Sequence, residues 1–135
     1  MDAKGRVSLP SAFRRAAQGD RFVLLQWERP YLTLFPESKW AEVQQRLLEF
    51  RRTDPQSWNH VRMIVAQAVE VTPDKQGRIL IPDYLKGYPE IRSEVLIIGV
   101  SDRIEIWAKE AWNEQAASAR VNRDAITRAL TELGL

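Results

Sequence analysis

The stretch Asp2-Ala3-Lys4-Gly5-Arg6-Val7-Ser8-Leu9-Pro10-Ser11-Ala12-Phe13-Arg14 returns later in altered form as Asp74-Lys75-Gln76-Gly77-Arg78-Ile79-Leu80-Ile81-Pro82-Asp83-Tyr84-Leu85-Lys86. The copies stand 72 residues apart (74 − 2). Carried forward without a gap, that offset sets Val23-Leu24-Leu25 on Val95-Leu96-Ile97, Leu32-Thr33-Leu34-Phe35 on Ile104-Glu105-Ile106-Trp107, and Trp40 on Trp112. A register sustained from Asp2 to Trp40 is the mark of an internal repeat, and a repeat of this kind predicts two half-units related by a pseudo-twofold axis.

Each half reads in the same order. Val7 and Leu9 alternate with Arg6 and Ser8, and Ile79 and Ile81 alternate with Arg78 and Leu80, which is the period of a strand. That alternation turns the arginine away from the core-facing positions. Pro10 and Pro82 suit the first position of a short helix, with Phe13 and Leu85 as its buried anchors. Hairpins follow, from Phe22–Gln26 with Tyr31–Phe35 and from Val95–Gly99 with Arg103–Trp107. Trp40, Val43, Leu47, Leu48 and Phe50 fall at helical spacing after Pro36, and a second helix runs from Lys109 around Trp112. Asp54-Pro55 opens a connecting helix carrying Trp58, Val61, Ile64 and Val65. Asn122 to Leu133 is a further amphipathic helix that Gly134 stops.

The chain of 135 residues therefore divides into an N-terminal half-repeat (1–53), a connecting helix (54–66), a C-terminal half-repeat (67–120) and a C-terminal helix (121–135). A half of this size buries too little apolar surface alone, so the two halves are expected to intertwine as one α+β domain. No apolar run approaches the length of a membrane span, and Met1, Asp2 and Lys4 do not resemble a signal segment, so a soluble cytoplasmic protein is expected. Without cysteine there is no disulfide, thiolate metal site or thiol nucleophile. The formal charge is only +2, yet 15 of the 20 basic residues are arginine, whose planar fork suits phosphate and guanine edges as well as a solvated surface.

The two Asp-x-x-Gly-Arg-hydrophobic-x-hydrophobic-Pro segments, Asp2 to Pro10 and Asp74 to Pro82, resemble the paired signature of the MraZ family of transcriptional regulators. The resemblance implies a pseudo-twofold double swapped-hairpin β-barrel, related to AbrB, with flanking helices. It implies a nucleoid-associated, ring-shaped homo-oligomer that binds G-containing direct repeats of double-stranded DNA in the promoter of the division and cell-wall gene cluster. By the same resemblance the DNA-contacting arginines are Arg6 and Arg78, with Lys4 and Lys75 as basic neighbours. Asp2, Asp74, Gly5, Gly77, Pro10 and Pro82 belong to the structural motif. One departure stands out. The second motif is preceded by an apparent strand, Ala68-Val69-Glu70-Val71-Thr72-Pro73, whose counterpart before Asp2 is absent, so either the start lies downstream of the true one or the first half lacks a strand. A sheet edge is then expected to stay unpaired.

Other chemistry finds little footing. Each motif arginine has an alternative use in an Asp–Arg ion pair that fixes its own turn, and Asp2 and Asp74 are read as turn acceptors rather than a protease-like carboxylate dyad. His60 has no second metal ligand at helical spacing, and no phosphate loop or nucleophile elbow occurs, so neither an enzyme, a metal, a cofactor nor a small-molecule substrate is expected. The five tryptophans suit core or subunit contacts better than base stacking. A protein-interaction or scaffolding ring without DNA binding is the alternative function.

Overall fold

The computed structural model describes residues 1–16, 19–86 and 94–135. In chain order its elements are β1 (Arg6–Ser8), α1 (Ser11–Ala16), β2 (Phe22–Leu25), β3 (Leu32–Pro36), α2 (Glu37–Thr53), α3 (Trp58–Ala66), β4 (Val69–Val71), β5 (Arg78–Leu80), β6 (Val95–Val100), β7 (Arg103–Ala108), α4 (Lys109–Val121) and α5 (Arg123–Glu132). Short 3₁₀ turns at Pro55–Ser57 and Asp83–Leu85 precede α3 and follow β5.

The halves are joined strand to strand. β1 pairs antiparallel with β5, and a five-stranded antiparallel sheet runs β4-β2-β3-β7-β6. Val7 faces Ile79 and Thr33 faces Glu105, each a pair of repeat-equivalent positions, so the pseudo-twofold axis passes through both ladders. The two-stranded ribbon lies over one face of the larger sheet. There Val7, Leu9, Ile79 and Ile81 close a core with Phe22, Leu24, Leu32, Leu34, Ile104 and Ile106. The opposite face is covered by α2 and α3, which pack Trp40, Val43, Ile64 and Val65 against Val23, Leu25 and Phe35. Covered on both faces, β2 is apolar at every position instead of alternating, and all four of its residues are buried.

Three expectations need correction. Among the described residues the ladders form two separate sheets, not a closed barrel: β4 and β6 end the large sheet, and β1 and β5 spend their three pairs on each other. The 72-residue offset holds for the motifs and for β3 with β7, but not for β2 with β6. Phe22 pairs with Pro36 whereas Val95, not Glu94, pairs with Ala108, so the equivalence there is Phe22 with Val95, an offset of 73 (95 − 22). The slip is absorbed in the hairpins, since β6 and β7 are joined by the tight turn Ser101-Asp102, with Ser101 at φ 56°, and β2 and β3 by a longer loop. It keeps Val95 and Ile97 facing the same core as Phe22 and Leu24. Lastly, Pro10 and Pro82 stand just before their helical turns, the second turn is 3₁₀, and Phe13 is half-buried where Leu85 is buried.

β4 forms within the apparent strand Ala68-Val69-Glu70-Val71-Thr72-Pro73 and pairs with β2 of the other half. The equivalent place beside β6 is empty among the described residues, so the unpaired edge falls there. Leu48 and Phe50 on α2 and the α5 residues Ile126 and Leu130 remain exposed, as does Leu133 just beyond it. No helix of the described residues is long and apolar enough to cross a membrane.

Candidate nucleic-acid interface

Both motifs fold into the same tight loop. The Gly5 amide donates to the Asp2 carbonyl and the Asp2 amide to the Arg6 carbonyl, each at 3.0 Å; the equivalent bonds of Gly77 and Asp74 are both 2.9 Å. Gly5 at φ +83° and Gly77 at φ +80° provide the left-handed backbone that the turn requires. The aspartate then caps the loop from inside. Asp2 Oδ1 accepts the amides of Lys4 (3.1 Å) and Arg6 (2.8 Å), and Asp74 Oδ1 those of Gln76 (2.9 Å) and Arg78 (3.0 Å). The amide of the motif arginine is the main reason each carboxyl titrates below the usual aspartate range, with the guanidinium adding to it against partial desolvation. Asp2 and Asp74 thus each accept two amides of their own loop, and each is tied to its own arginine.

The second carboxylate oxygen meets the arginine side chain. Arg6 Nε donates to Asp2 Oδ2 at 2.8 Å and Arg78 Nε to Asp74 Oδ2 at 3.0 Å. The ion pairs leave the Arg6 and Arg78 side chains half-buried, with 29% and 25% of their surface exposed. The loops also converge: Arg78 Nη1 lies 3.8 Å from Asp2 Oδ2, across the halves. Extra backbone bonds, Leu9 amide to Gly77 carbonyl and Ile81 amide to Gly5 carbonyl, lock one loop beside the other. Lys4 and Lys75 are exposed next to them. All four expected DNA-contacting residues therefore lie on these two adjoining loops.

Two cations that the motif reading missed complete the surface. A Cβ placed on Gly77 would stand 2.7 Å from Arg14 Cζ, so the Arg14 side chain lies directly over that glycine. Lys86 Nζ likewise lies on Gly5, and it also pairs with Asp83 at 3.0 Å. Each half thus sends a basic side chain from its post-motif helical turn onto the other half's loop. The signal was present in the sequence, for Arg14 and Lys86 are themselves 72 residues apart (86 − 14). α1 is anchored by Phe13, whose ring lies 2.7 Å from where a Gly99 Cβ would be.

His60 is exposed, and no group of three metal-binding side chains occurs among the described residues. Trp40 packs on Phe35, Trp107 stacks on Tyr31 at 4.7 Å and meets Trp112 edge-on, and Arg51 lies over Trp58. Lys39 on α2 bridges to Asp102 in the β6–β7 turn at 3.0 Å, and Arg103 crosses from β7 onto the Phe35 ring of β3.

The fold and the site together define a duplicated α+β protein whose two arginine loops make one cationic surface across its pseudo-twofold axis. The family model described as "MraZ protein, putative antitoxin-like" matches residues 1–62 and again 64–133. A transcriptional regulator MraZ from Desulforamulus reducens is 38% identical over 135 residues, covering 98% of this chain and 93% of its own. Another of that name from Thermoanaerobacter pseudethanolicus is 39% identical over 135 residues, covering 100% and 94%. A third, from Pelotomaculum thermopropionicum, is 39% identical over 137 residues, covering 100% and 92%. The chain belongs to the MraZ family, whose members here carry the name of a transcriptional regulator and not of an enzyme.

Proposed function

We propose that this protein binds double-stranded promoter DNA sequence-specifically through the paired loops 2–6 and 74–78, and that it regulates the division and cell-wall gene cluster. The observation that carries the reading is the convergence of Arg6 and Arg78 on one surface, each held at Nε by its aspartate and each still open to solvent. The carboxylate orients the guanidinium, and a bidentate grip on a guanine edge or a phosphate is what such a preset fork does well. Lys4 and Lys75 add sequence-independent attraction to the backbone. Asp2, Asp74, Gly5, Gly77, Pro10 and Pro82 shape the loops. The cross-half pairing of β1 with β5 and of β4 with β2 supports a swapped-hairpin arrangement of the four segments 1–53, 54–66, 67–120 and 121–135.

One small contact gives modest affinity, and a ring of copies on direct repeats multiplies it. The exposed apolar residues Leu48, Ile126, Leu130 and Leu133 provide surface for such self-association, and a DNA-bound regulator acts in the cytoplasm at the nucleoid. That same surface favours the second reading, a scaffolding ring for a protein partner. The test is a mobility shift on DNA carrying G-containing direct repeats from upstream of the gene. Arg78→Ala should weaken the shift by about tenfold to a hundredfold per lost base contact, with the oligomer intact. An unchanged band removes Arg78 from the reading surface. Partner binding that survives high salt, with no DNA affinity in low salt, selects the scaffold.

A further inference from the structure

Arg14 and Lys86 occupy equivalent positions on opposite loops, but their surroundings differ. Lys86 pairs with the exposed Asp83 at 3.0 Å, whereas Arg14 has no ion pair among the described residues. Its Nε is buried beside Gly77 without a hydrogen-bond partner, although the residue as a whole is only half-buried. That Nε is sealed from solvent and offers no contact of its own; what the half-buried residue brings to the loop is a positive charge with no carboxylate paired to it. Lying on Gly77, it sits on the loop that also carries Arg78 and the exposed Lys75. The 74–78 loop therefore gathers three cations around Asp74, with Asp2 of the other loop, 3.8 Å from Arg78 Nη1, as a carboxylate shared between the two. Around the 2–6 loop, Lys4, Arg6 and Lys86 face two carboxylates, Asp2 and Asp83.

We propose that Arg14, contributed by the first half, is a phosphate-contacting residue of the second half's loop, making 74–78 the stronger of the two DNA contacts. The inference rests on the DNA-binding reading and adds to it a residue and an inequality between motifs that the repeat would make equal. A cation on a phosphate displaces a condensed counterion, so its loss shows in the salt dependence of binding.

The experiment measures affinity for repeat-bearing and for random duplex across a range of salt, using the full chain. Arg14→Gln should lower both affinities alike and flatten the plot of log affinity against log salt by about 0.9 for each subunit engaged. Arg14→Lys should restore the slope, and Lys86→Gln should change it less than Arg14→Gln does. An unchanged slope in Arg14→Gln, or an equal effect of Lys86→Gln, overturns the proposal. Should Arg14→Gln fail to fold, arginine modification of the unaltered protein by phenylglyoxal decides: Arg14 is protected by bound duplex if it meets phosphate and unprotected if it does not. Absence of any salt-sensitive DNA binding by the unaltered protein would sink the DNA reading itself, whereas normal binding with an indifferent Arg14 sinks only this inference.

Discussion

Gly77→Ala tests the loop and its cross-half brace together. At φ +80° an L side chain meets its own backbone, which costs about 1–2 kcal/mol. The new Cβ would also stand 2.7 Å from Arg14 Cζ and 3.0 Å from its Nε, so the guanidinium has to swing aside. Because that group is the far end of a flexible side chain, the backbone term should dominate. For a chain of this size the loss corresponds to a fall in melting temperature of about 3–7 °C. Thermal unfolding of Gly77→Ala, of Arg14→Ala and of the double variant separates the two contributions. With Arg14 truncated, the methyl group meets less opposition, and the cost of Gly77→Ala should shrink toward the backbone term, a coupling below about 1 kcal/mol. A Gly77→Ala protein as stable as the original, or one whose loss grows when Arg14 is removed, would refute the geometry.

Gly99→Ala presents a different obstacle, because its Cβ meets the rigid Phe13 ring at 2.7 Å. A loss of about 1–3 kcal/mol is expected in denaturant unfolding, partly relieved by Phe13→Ala in the same chain. Acid should also weaken the fold. Hydrogen bonds first from Arg103 and then from Lys39 hold Asp102 down to about 2, and Asp2 and Asp74 are lowered too, so their folded-state values lie below the ordinary 3.8. Groups shifted in this direction stabilise the protein fully above about pH 4 and lose that contribution as pH falls toward about 2. Asp102→Asn should lower stability at neutral pH and flatten its decline over that interval, as followed by circular dichroism.

Much of this architecture was legible because the Asp-x-x-Gly-Arg motif is a local device. A carboxylate that caps its own loop, a glycine turn and a short alternating strand depend on neighbours within a few residues, and both copies adopt the same loop. What escaped depends on the other half. Offset counting cannot see that β6 shifts by one residue to keep Val95 and Ile97 facing the core, since the compensating change lies in turn length. The closed barrel failed for a similar reason: closure is decided by which margins meet, not by the pattern within any strand. In the sequence Arg14 is only the polar end of a short helix, and the packing of α1 across the axis is what places it on Gly77.

The ladders in which Val7 faces Ile79 and Thr33 faces Glu105 carry a thermodynamic consequence. Contacts between equivalent positions are those of an isologous dimer, here written into one polypeptide. Two free half-chains making them would come apart on dilution, by mass action. The covalent tether through residues 54–66 replaces that encounter with a fixed effective concentration, so the arginine surface persists however scarce the protein is in the cell.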